Sequence, residues 1–128
     1  MSTPKGLKLA KTDEWVKLED RLGTIGISDY AQDQLSDIVF IEFLKESGDK
    51  ISKGELLATI ESVKAAADVI SPVGGTVKEV NEKLLDAPEM LNSDPFTDGW
   101  MMKVELDSPS DTDALLNSED YDTFCESR

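Results

Sequence analysis

The chain has 128 residues, a length typical of one domain. Its 13 Lys and Arg against 27 Asp and Glu give a net charge of −14. This charge argues against nucleic acid and anionic membranes as partners, because both require clustered cations. The sequence contains no His, which excludes Ser–His and Cys–His catalysis. The single cysteine, Cys125, cannot form an internal disulfide or a cysteine metal cluster, and we predict a partly buried, inert thiol.

Neither a targeting segment nor a membrane span is predicted. Residues 1–11 mix Lys with small and polar residues and lack the apolar centre of a signal peptide. The longest apolar run, residues 38–41, is far shorter than the roughly 18 residues that a spanning helix needs. We therefore expect a protein of the bacterial cytoplasm with a reduced thiol, the alternative being the mitochondrial matrix after removal of a transit peptide.

Most of the chain is predicted to form short strands separated by turns. Apolar and polar residues alternate in four places, as in half-buried strands. These are residues 7–9, 15–19, 25–27 and 100–106. The nearly continuous apolar run at residues 38–43 is typical of a strand that is covered on both faces. Trp15 and Trp100 lie in such surroundings and are predicted to be core residues.

Helical signals are fewer. Ser28 is the predicted N-cap of a short helix over residues 29–35. A turn or short helix is predicted over residues 83–91, interrupted by Pro88. The end of the chain is predicted to form one or two short helices, the first including residues 114–116 and the second capped by Ser118.

The centre of the chain predicts a hairpin. Two strand-compatible runs, residues 56–60 and 67–70, flank a tip at Val63, Lys64 and Ala65. Polar and ionic residues surround this tip, so Lys64 is expected to face water. A lysine at a hairpin tip often serves solubility alone, and the pattern by itself indicates no function.

Other candidate sites are weak. The carboxylates near the end of the chain lack the spacing and central Gly of a calcium loop, and no metal site is predicted. They are Asp111, Asp113, Glu119 and Asp120. The glycines of residues 71–76 are not followed by the Gly-Lys-Ser/Thr of a phosphate loop. No catalytic constellation is present, so we predict that the chain is not an independent enzyme.

Residues 61–69 resemble the lipoylation motif of glycine cleavage system H proteins. Other segments resemble the same family in the same order, so that the similarity extends from about residue 7 to about residue 124. These segments are residues 13–16, 25–32, 35–41, 71–77, 79–81, 91–96 and 99–101. The chain departs from the family pattern at residues 43–47, at Asp13, where His is frequent, and at Ala67, where Ser or Thr is common.

The resemblance implies a mainly β fold, the barrel-sandwich hybrid or flattened β barrel of lipoyl and biotinyl carriers, with short helices. On this interpretation residues 1–128 form a single lipoyl-carrier domain. Its hairpin core lies at about residues 48–80 and its C-terminal helical segment at about residues 109–127.

The resemblance also implies the site. Lys64 is expected to be an N6-lipoyllysine, with lipoic acid attached covalently to its amine. The flanking motif residues are Glu61, Ser62, Val63 and Ala65. Glu14 and Asp68 match the family's carboxylates and are expected to hold the amine of the loaded arm in a surface cleft. Without the resemblance, Glu14 would be interpreted as an ordinary surface carboxylate.

The implied function is that of a monomeric, non-catalytic carrier. It takes the aminomethyl group of glycine from a pyridoxal-phosphate glycine decarboxylase (P protein) to a folate-dependent aminomethyltransferase (T protein). Electrons pass to dihydrolipoamide dehydrogenase (L protein), and a lipoate ligase or lipoyltransferase attaches the arm. Two alternatives remain: a lipoyl relay or interaction protein, and a biotin carrier, whose lysine usually lies between two Met residues rather than Val63 and Ala65.

Overall fold

A computed structural model describes residues 3–128. The described part of the chain contains ten strands, which form two antiparallel sheets. The strands are β1 (Lys8–Leu9), β2 (Glu14–Glu19), β3 (Leu22–Ile27), β4 (Ile38–Phe43), β5 (Lys50–Ile51), β6 (Leu56–Ser62), β7 (Ala66–Ile70), β8 (Gly75–Val80), β9 (Met102–Leu106) and β10 (Leu116–Asn117). The helices are α1 (Asp29–Leu35), α2 (Lys83–Asp86), α3 (Met90–Ser93), a 3-10 helix (Pro109–Ala114) and α4 (Ser118–Glu126).

The two sheets enclose one main core. The larger sheet has the strand order β10-β1-β2-β3-β9-β8-β5, and the smaller sheet has the order β4-β6-β7. Val16, Ile25 and Val104 of the larger sheet belong to the same buried cluster as Ile41 and Ile60 of the smaller sheet. Burial of these apolar faces against each other is the main favourable term in such a sandwich. The predicted mainly β fold with short helices, including a C-terminal helix, is confirmed.

Helix α1 begins as predicted. The Ser28 hydroxyl accepts a hydrogen bond from the amide of Ala31 at 3.1 Å, which satisfies one of the free amides of the first turn. The region around Pro88 forms two one-turn helices, α2 and α3, on either side of that proline. Within residues 3–128, no helix has both the length and the apolar composition that membrane spanning requires.

The C-terminal segment differs in detail from the prediction. Leu116 lies in β10, which pairs with β1, rather than in a helix. Helix α4 is capped by Asn117, whose side chain accepts from the amide of Asp120 at 2.8 Å. Ser118 was predicted to be this cap but is the first helical residue, because Asn117 has the extended backbone that a cap needs.

Strand β4 is covered on one face only, so the prediction of a strand buried on both faces is wrong. Ile38 and Ile41 are buried, but Val39 and Phe40 are 54% and 50% exposed. The register between β4 and β6 shifts between Ile38 and Phe40, which identifies a β-bulge at this point. A bulge interrupts the inside–outside alternation, and two consecutive apolar side chains therefore face solvent.

The two tryptophans have different environments. Trp15 is buried as predicted, in a cluster with Leu9 and Tyr121, and its indole N–H donates to the carbonyl of Pro95 at 3.0 Å. Trp100 is only partly buried, with the Lys103 ammonium 4.9 Å from the ring centroid. Trp100 lies before β9, which begins at Met102, and it therefore falls outside the alternating pattern of that strand.

Gly26 allows Trp15 to pack closely across the β2–β3 pair, where the two residues are direct partners. A Cβ atom at position 26 would lie 2.6 Å from two ring carbons of Trp15. We expect Gly26→Ala to lower the free energy of unfolding by about 1–3 kcal/mol because the ring must shift. Urea unfolding followed by tryptophan fluorescence measures this loss.

Gly74→Ala is the matched control for Gly26→Ala. The nearest atom to a Cβ at position 74 would be 3.5 Å away, an ordinary contact. This variant is expected to change stability by less than about 0.5 kcal/mol. Equal losses in the two variants would contradict the close-approach argument.

Candidate functional site

Lys64 lies at the tip of the β6–β7 hairpin, as predicted. The Ser62 hydroxyl accepts from the amides of Lys64 at 3.1 Å and Ala65 at 2.9 Å, and the Ser62 amide donates to the Ala65 carbonyl at 2.8 Å. The Val63 amide donates to the Asp37 carbonyl at 3.0 Å, which ties the tip to the start of β4. These bonds give the turn a defined backbone. Lys64 is therefore attached to a turn whose backbone conformation is fixed by hydrogen bonds.

The side chain of Lys64 faces solvent. None of the ion pairs formed among residues 3–128 includes it. Glu61, Val63 and Ala65 are exposed beside it, whereas Ser62 is partly buried and its hydroxyl is hydrogen-bonded within the turn. A second protein can therefore approach the Lys64 amine without displacing an internal contact.

A cleft of about 180 Å³ opens between the two sheets near this hairpin. One wall comes from the segment before β2 and from α1, and the other comes from β6 and β7. The lining residues are Thr12, Asp13, Glu14, Ile27, Ala31, Gln34, Leu35, Ile60, Ala67, Asp68 and Val69. The resemblance to the family implies that Glu14 and Asp68 act together. Both residues line this cleft.

Glu14 is not a surface carboxylate, since its side chain is only 2% exposed. Its Oε1 accepts from the Thr12 hydroxyl at 2.5 Å and its Oε2 accepts from the Ile70 amide at 3.1 Å. Burial raises the pKa of Glu14 to about 7, although these two hydrogen bonds favour the charged form and act in the opposite direction. The neighbouring Asp13 charge raises this pKa further. Glu14 is therefore poised to gain or lose a proton near neutral pH.

Asp68 has a different environment at the same cleft. It is exposed, and in the β6–β7 register it lies opposite Thr59. Its carboxylate is accessible from solvent, whereas that of Glu14 is in the interior. The cleft thus presents one buried and one exposed acidic group, an arrangement that suits a cationic guest entering from solvent.

A hydrogen-bonded network behind Asp13 was not predicted from the sequence. Arg128 donates to both carboxylate oxygens of Asp13, at 2.5 and 3.0 Å. The Tyr121 hydroxyl donates to Asp13 at 2.7 Å and lies 2.6 Å from the Ser28 hydroxyl. The Asp13 carboxylate raises the pKa of Arg128 above its usual range. The network joins the cleft wall to α1 and α4. Its hydrogen-bonded pairs are 93 to 115 residues apart in sequence, so no local pattern reveals it.

The fold and the exposed hairpin lysine together define a carrier domain of the lipoyl and biotinyl class. The sequence model of the family described as "Glycine cleavage H-protein" matches residues 7–128. The chain therefore belongs to the glycine cleavage H-protein family. This membership gives it a lipoyl carrier role in the glycine cleavage system.

Individual relatives agree with this assignment. A glycine cleavage system H protein of Coprothermobacter proteolyticus is 50% identical over 97% of this chain and 98% of its own length. A mitochondrial H protein of Arabidopsis thaliana is 46% identical over 98% of this chain and 75% of its own length. The crystal structure of an H protein from Mycobacterium marinum has a TM-score of 0.87, with 28% identity, over 95% of this chain and 98% of the other. The expected carrier fold is confirmed by this structural match.

The buried carboxyl of Glu14 predicts a pH-dependent stability. Its pKa is about 7 in the folded chain against an ordinary value of 4.5. The folded state therefore holds this proton more tightly than the unfolded state, and the stabilisation is complete below about pH 4.5 and lost as the pH rises to about 7. We expect Glu14→Gln, which carries no charge, to gain about 2–3 kcal/mol relative to the parent chain between about pH 5 and pH 8. Urea unfolding at a series of pH values measures this gain.

Glu19→Gln is the control, because Glu19 lies at the exposed end of the same strand. Its stability relative to the parent chain is expected to stay nearly constant over the same pH range. A Glu14→Gln difference that does not change with pH would show that Glu14 ionises normally.

Proposed function

We propose that Lys64 is the residue to which lipoic acid is attached. The observation that carries this proposal is an exposed primary amine on a hydrogen-bonded hairpin tip, next to a cleft that holds Glu14 and Asp68. Amide formation requires an amine that a modifying enzyme can reach, and the amine of Lys64 meets this requirement. When bound, the lipoyl group supplies a dithiolane that accepts a one-carbon amine and two electrons.

Glu14 and Asp68 are proposed to hold the ammonium group of the cargo. Asp68 at the exposed side of the cleft attracts the cation, and Glu14 in the interior accepts its hydrogen bond. An ammonium close to Glu14 favours the charged carboxylate, so capture of the cargo is coupled to release of the Glu14 proton. Thr12 and the Ile70 amide fix both oxygens of this carboxyl group in position before the cargo arrives.

The proposed partners follow from membership of the family. They are glycine decarboxylase, the aminomethyltransferase, dihydrolipoamide dehydrogenase, and a lipoate ligase or lipoyltransferase. In this proposal the chain is a monomer that performs no catalysis, and its partners supply the reactive groups. A bacterial cytoplasmic location is proposed, with the mitochondrial matrix as the alternative, because the relatives include both bacterial and plant mitochondrial proteins.

Intact-mass measurement tests the attachment site. Incubation of the unmodified chain with lipoate ligase, ATP and lipoate is expected to add one lipoyl group. Lys64→Arg should abolish this addition, since the guanidinium is not acylated, and Lys78→Arg, an exposed lysine on β8, should not. An unchanged mass of the parent chain with an active ligase would refute the proposal.

Two further measurements test the alternative functions. Streptavidin blotting shows whether the chain carries biotin. Glycine-dependent CO₂ exchange with the decarboxylase distinguishes the carrier from a lipoyl relay.

Loss of ammonia from the charged carrier tests the role of the two carboxylates. We expect Glu14→Gln to speed this loss about 10- to 100-fold in the absence of the aminomethyltransferase, because a charge-assisted hydrogen bond is worth about 1.5–3 kcal/mol. Asp68→Asn, at the exposed position, is expected to have a smaller effect. The difference between Glu14→Gln and the parent chain should shrink at acidic pH, once Glu14 of the loaded parent chain is protonated as well. Because the ammonium lowers the pKa of Glu14, this occurs below the value of about 7 that applies to the empty cleft.

Asp33→Asn provides the control for these two variants. Asp33 is an exposed carboxylate of α1 that lies outside the cleft, and its replacement should leave the rate unchanged. If all three variants lose ammonia at the parent rate, the cleft does not hold the cargo.

A further inference from the structure

An apolar patch lies beside the lysine hairpin. Residues 3–128 contain six large apolar side chains that are well exposed, namely Leu22, Val39, Phe40, Leu44, Val63 and Leu85. Three of them lie near the Lys64 turn: Val39 and Phe40 at the start of β4 and Val63 in the turn itself, with exposures of 54%, 50% and 70%. Isolated exposed apolar residues are common, but a group of three around one turn is a candidate interaction surface. We refer to these three residues as the hairpin patch.

The backbone explains why the patch faces outward. Ile38 is the register partner of Ser62, and Phe40 is the partner of Glu61, so Val39 is the additional residue of a bulge. The Val63 amide donates a hydrogen bond to the Asp37 carbonyl, and this contact places the start of β4 next to the Lys64 turn. The bulge therefore exposes two apolar side chains close to the lysine instead of burying one of them.

The rim of the patch is acidic. Asp37, Glu42, Glu61 and Asp68 are exposed around it. Phe40 faces Glu61 across the β4–β6 pair, and Glu42 is two residues further along the same strand. An apolar centre with an acidic border favours a partner with an apolar contact surface and cationic side chains at its edge.

We propose that the hairpin patch is the docking surface for the enzyme that acylates Lys64. This inference rests on the proposed function. The unmodified lysine has only its four-carbon stem, so the acylating enzyme must bring its activated donor to the hairpin itself. A partner that acts on the far end of the attached arm has no such requirement, since the arm extends the reach of the lysine considerably. The patch therefore fits the attaching enzyme better than the partners that act later.

The chemical step is an acyl transfer from an acyl adenylate. The Lys64 amine attacks the carbonyl carbon of the lipoyl adenylate, a new C–N bond forms, and the C–O bond to AMP breaks. AMP leaves with its phosphate oxygen negatively charged, and the amine proton passes to solvent. No oxidant or reductant takes part.

The test compares lipoylation of patch variants with that of matched controls. Val39→Ser combined with Phe40→Ser is expected to lower kcat/KM of a lipoate ligase for the unmodified chain at least tenfold, mainly through KM. Val63→Thr, an isosteric change, should lower it about threefold. Leu44→Ser and Leu85→Ser remove exposed apolar side chains elsewhere, and Leu44 lies beyond the opposite end of β4. Both controls should stay within twofold of the parent chain.

Binding provides a readout that does not depend on turnover. In a Lys64→Arg background, calorimetry with the ligase and a non-hydrolysable acyl-adenylate analogue should show the same weakening for the Val39→Ser/Phe40→Ser variant. Increasing salt should weaken binding of the parent chain, and Glu42→Gln should reduce this salt dependence. Thermal unfolding verifies that each variant is folded, and Val63→Thr keeps the test valid if the double variant is not.

The outcomes separate this inference from the proposed function. If the parent chain is not lipoylated on Lys64, the proposed function fails. If the parent chain is lipoylated and the folded patch variants bind and react like the parent, only the docking inference fails. Weaker binding confined to the patch variants supports it.

Discussion

The carboxyl group of Glu14 connects the two sheets at the edge of the cleft. Glu14 belongs to β2 of the larger sheet, and its Oε2 accepts from the Ile70 amide of β7 in the smaller sheet. The lysine hairpin and the wall of the cleft are therefore held together by a group that is itself part of the proposed site. Because this carboxyl is buried, its charged form is costly, and its pKa rises to about 7. In the proposed function, the cationic cargo replaces the proton as the positive partner of Glu14, so that the same carboxyl group would have both a structural and a functional role.

The neighbouring carboxyl of Asp13, unlike that of Glu14, has a cationic partner. It is paired with Arg128, whose guanidinium lies 4.1 Å from the ring centroid of Tyr30 and 4.8 Å from that of Phe124. The burial of Glu14 has the larger effect on its pKa, and the charge of Asp13, although paired, raises this pKa in the same direction. The Asp13–Arg128 pair thereby ties this wall of the cleft to the C-terminal end of the chain.

The parts of the site that depend on local signals could be predicted from the sequence. The hairpin around Lys64 and the cap of α1 at Ser28 each depend on residues within a few positions of one another. The joint presence of Glu14 and Asp68 in the cleft required the resemblance to a family, because the two residues are 54 positions apart and belong to different sheets. The contact between Asp13 and Arg128 spans 115 residues and has no periodic or motif signal.

The exposure of the apolar run in β4 could not be predicted from the sequence either, for a different reason. A run such as residues 38–41 is compatible with a fully covered strand, and hydrophobicity alone does not distinguish burial from a recognition surface. The deciding feature is a one-residue register shift relative to β6, a property of strand pairing that the composition of one strand does not contain.

A carrier has to leave each partner after every step, and its surface reflects this requirement. Large apolar interfaces dissociate slowly, whereas charge attraction speeds encounter and contributes less to residence time. The chain combines a net charge of −14 with a hairpin patch of only three apolar side chains. In the proposed function, the arm is attached to the hydrogen-bonded hairpin, and tethering raises the local concentration of the arm at each active site without a large interface. In the proposed docking role, the small patch has its greatest effect in the one reaction that precedes attachment of the arm, when the unmodified lysine must be brought to the acyl donor.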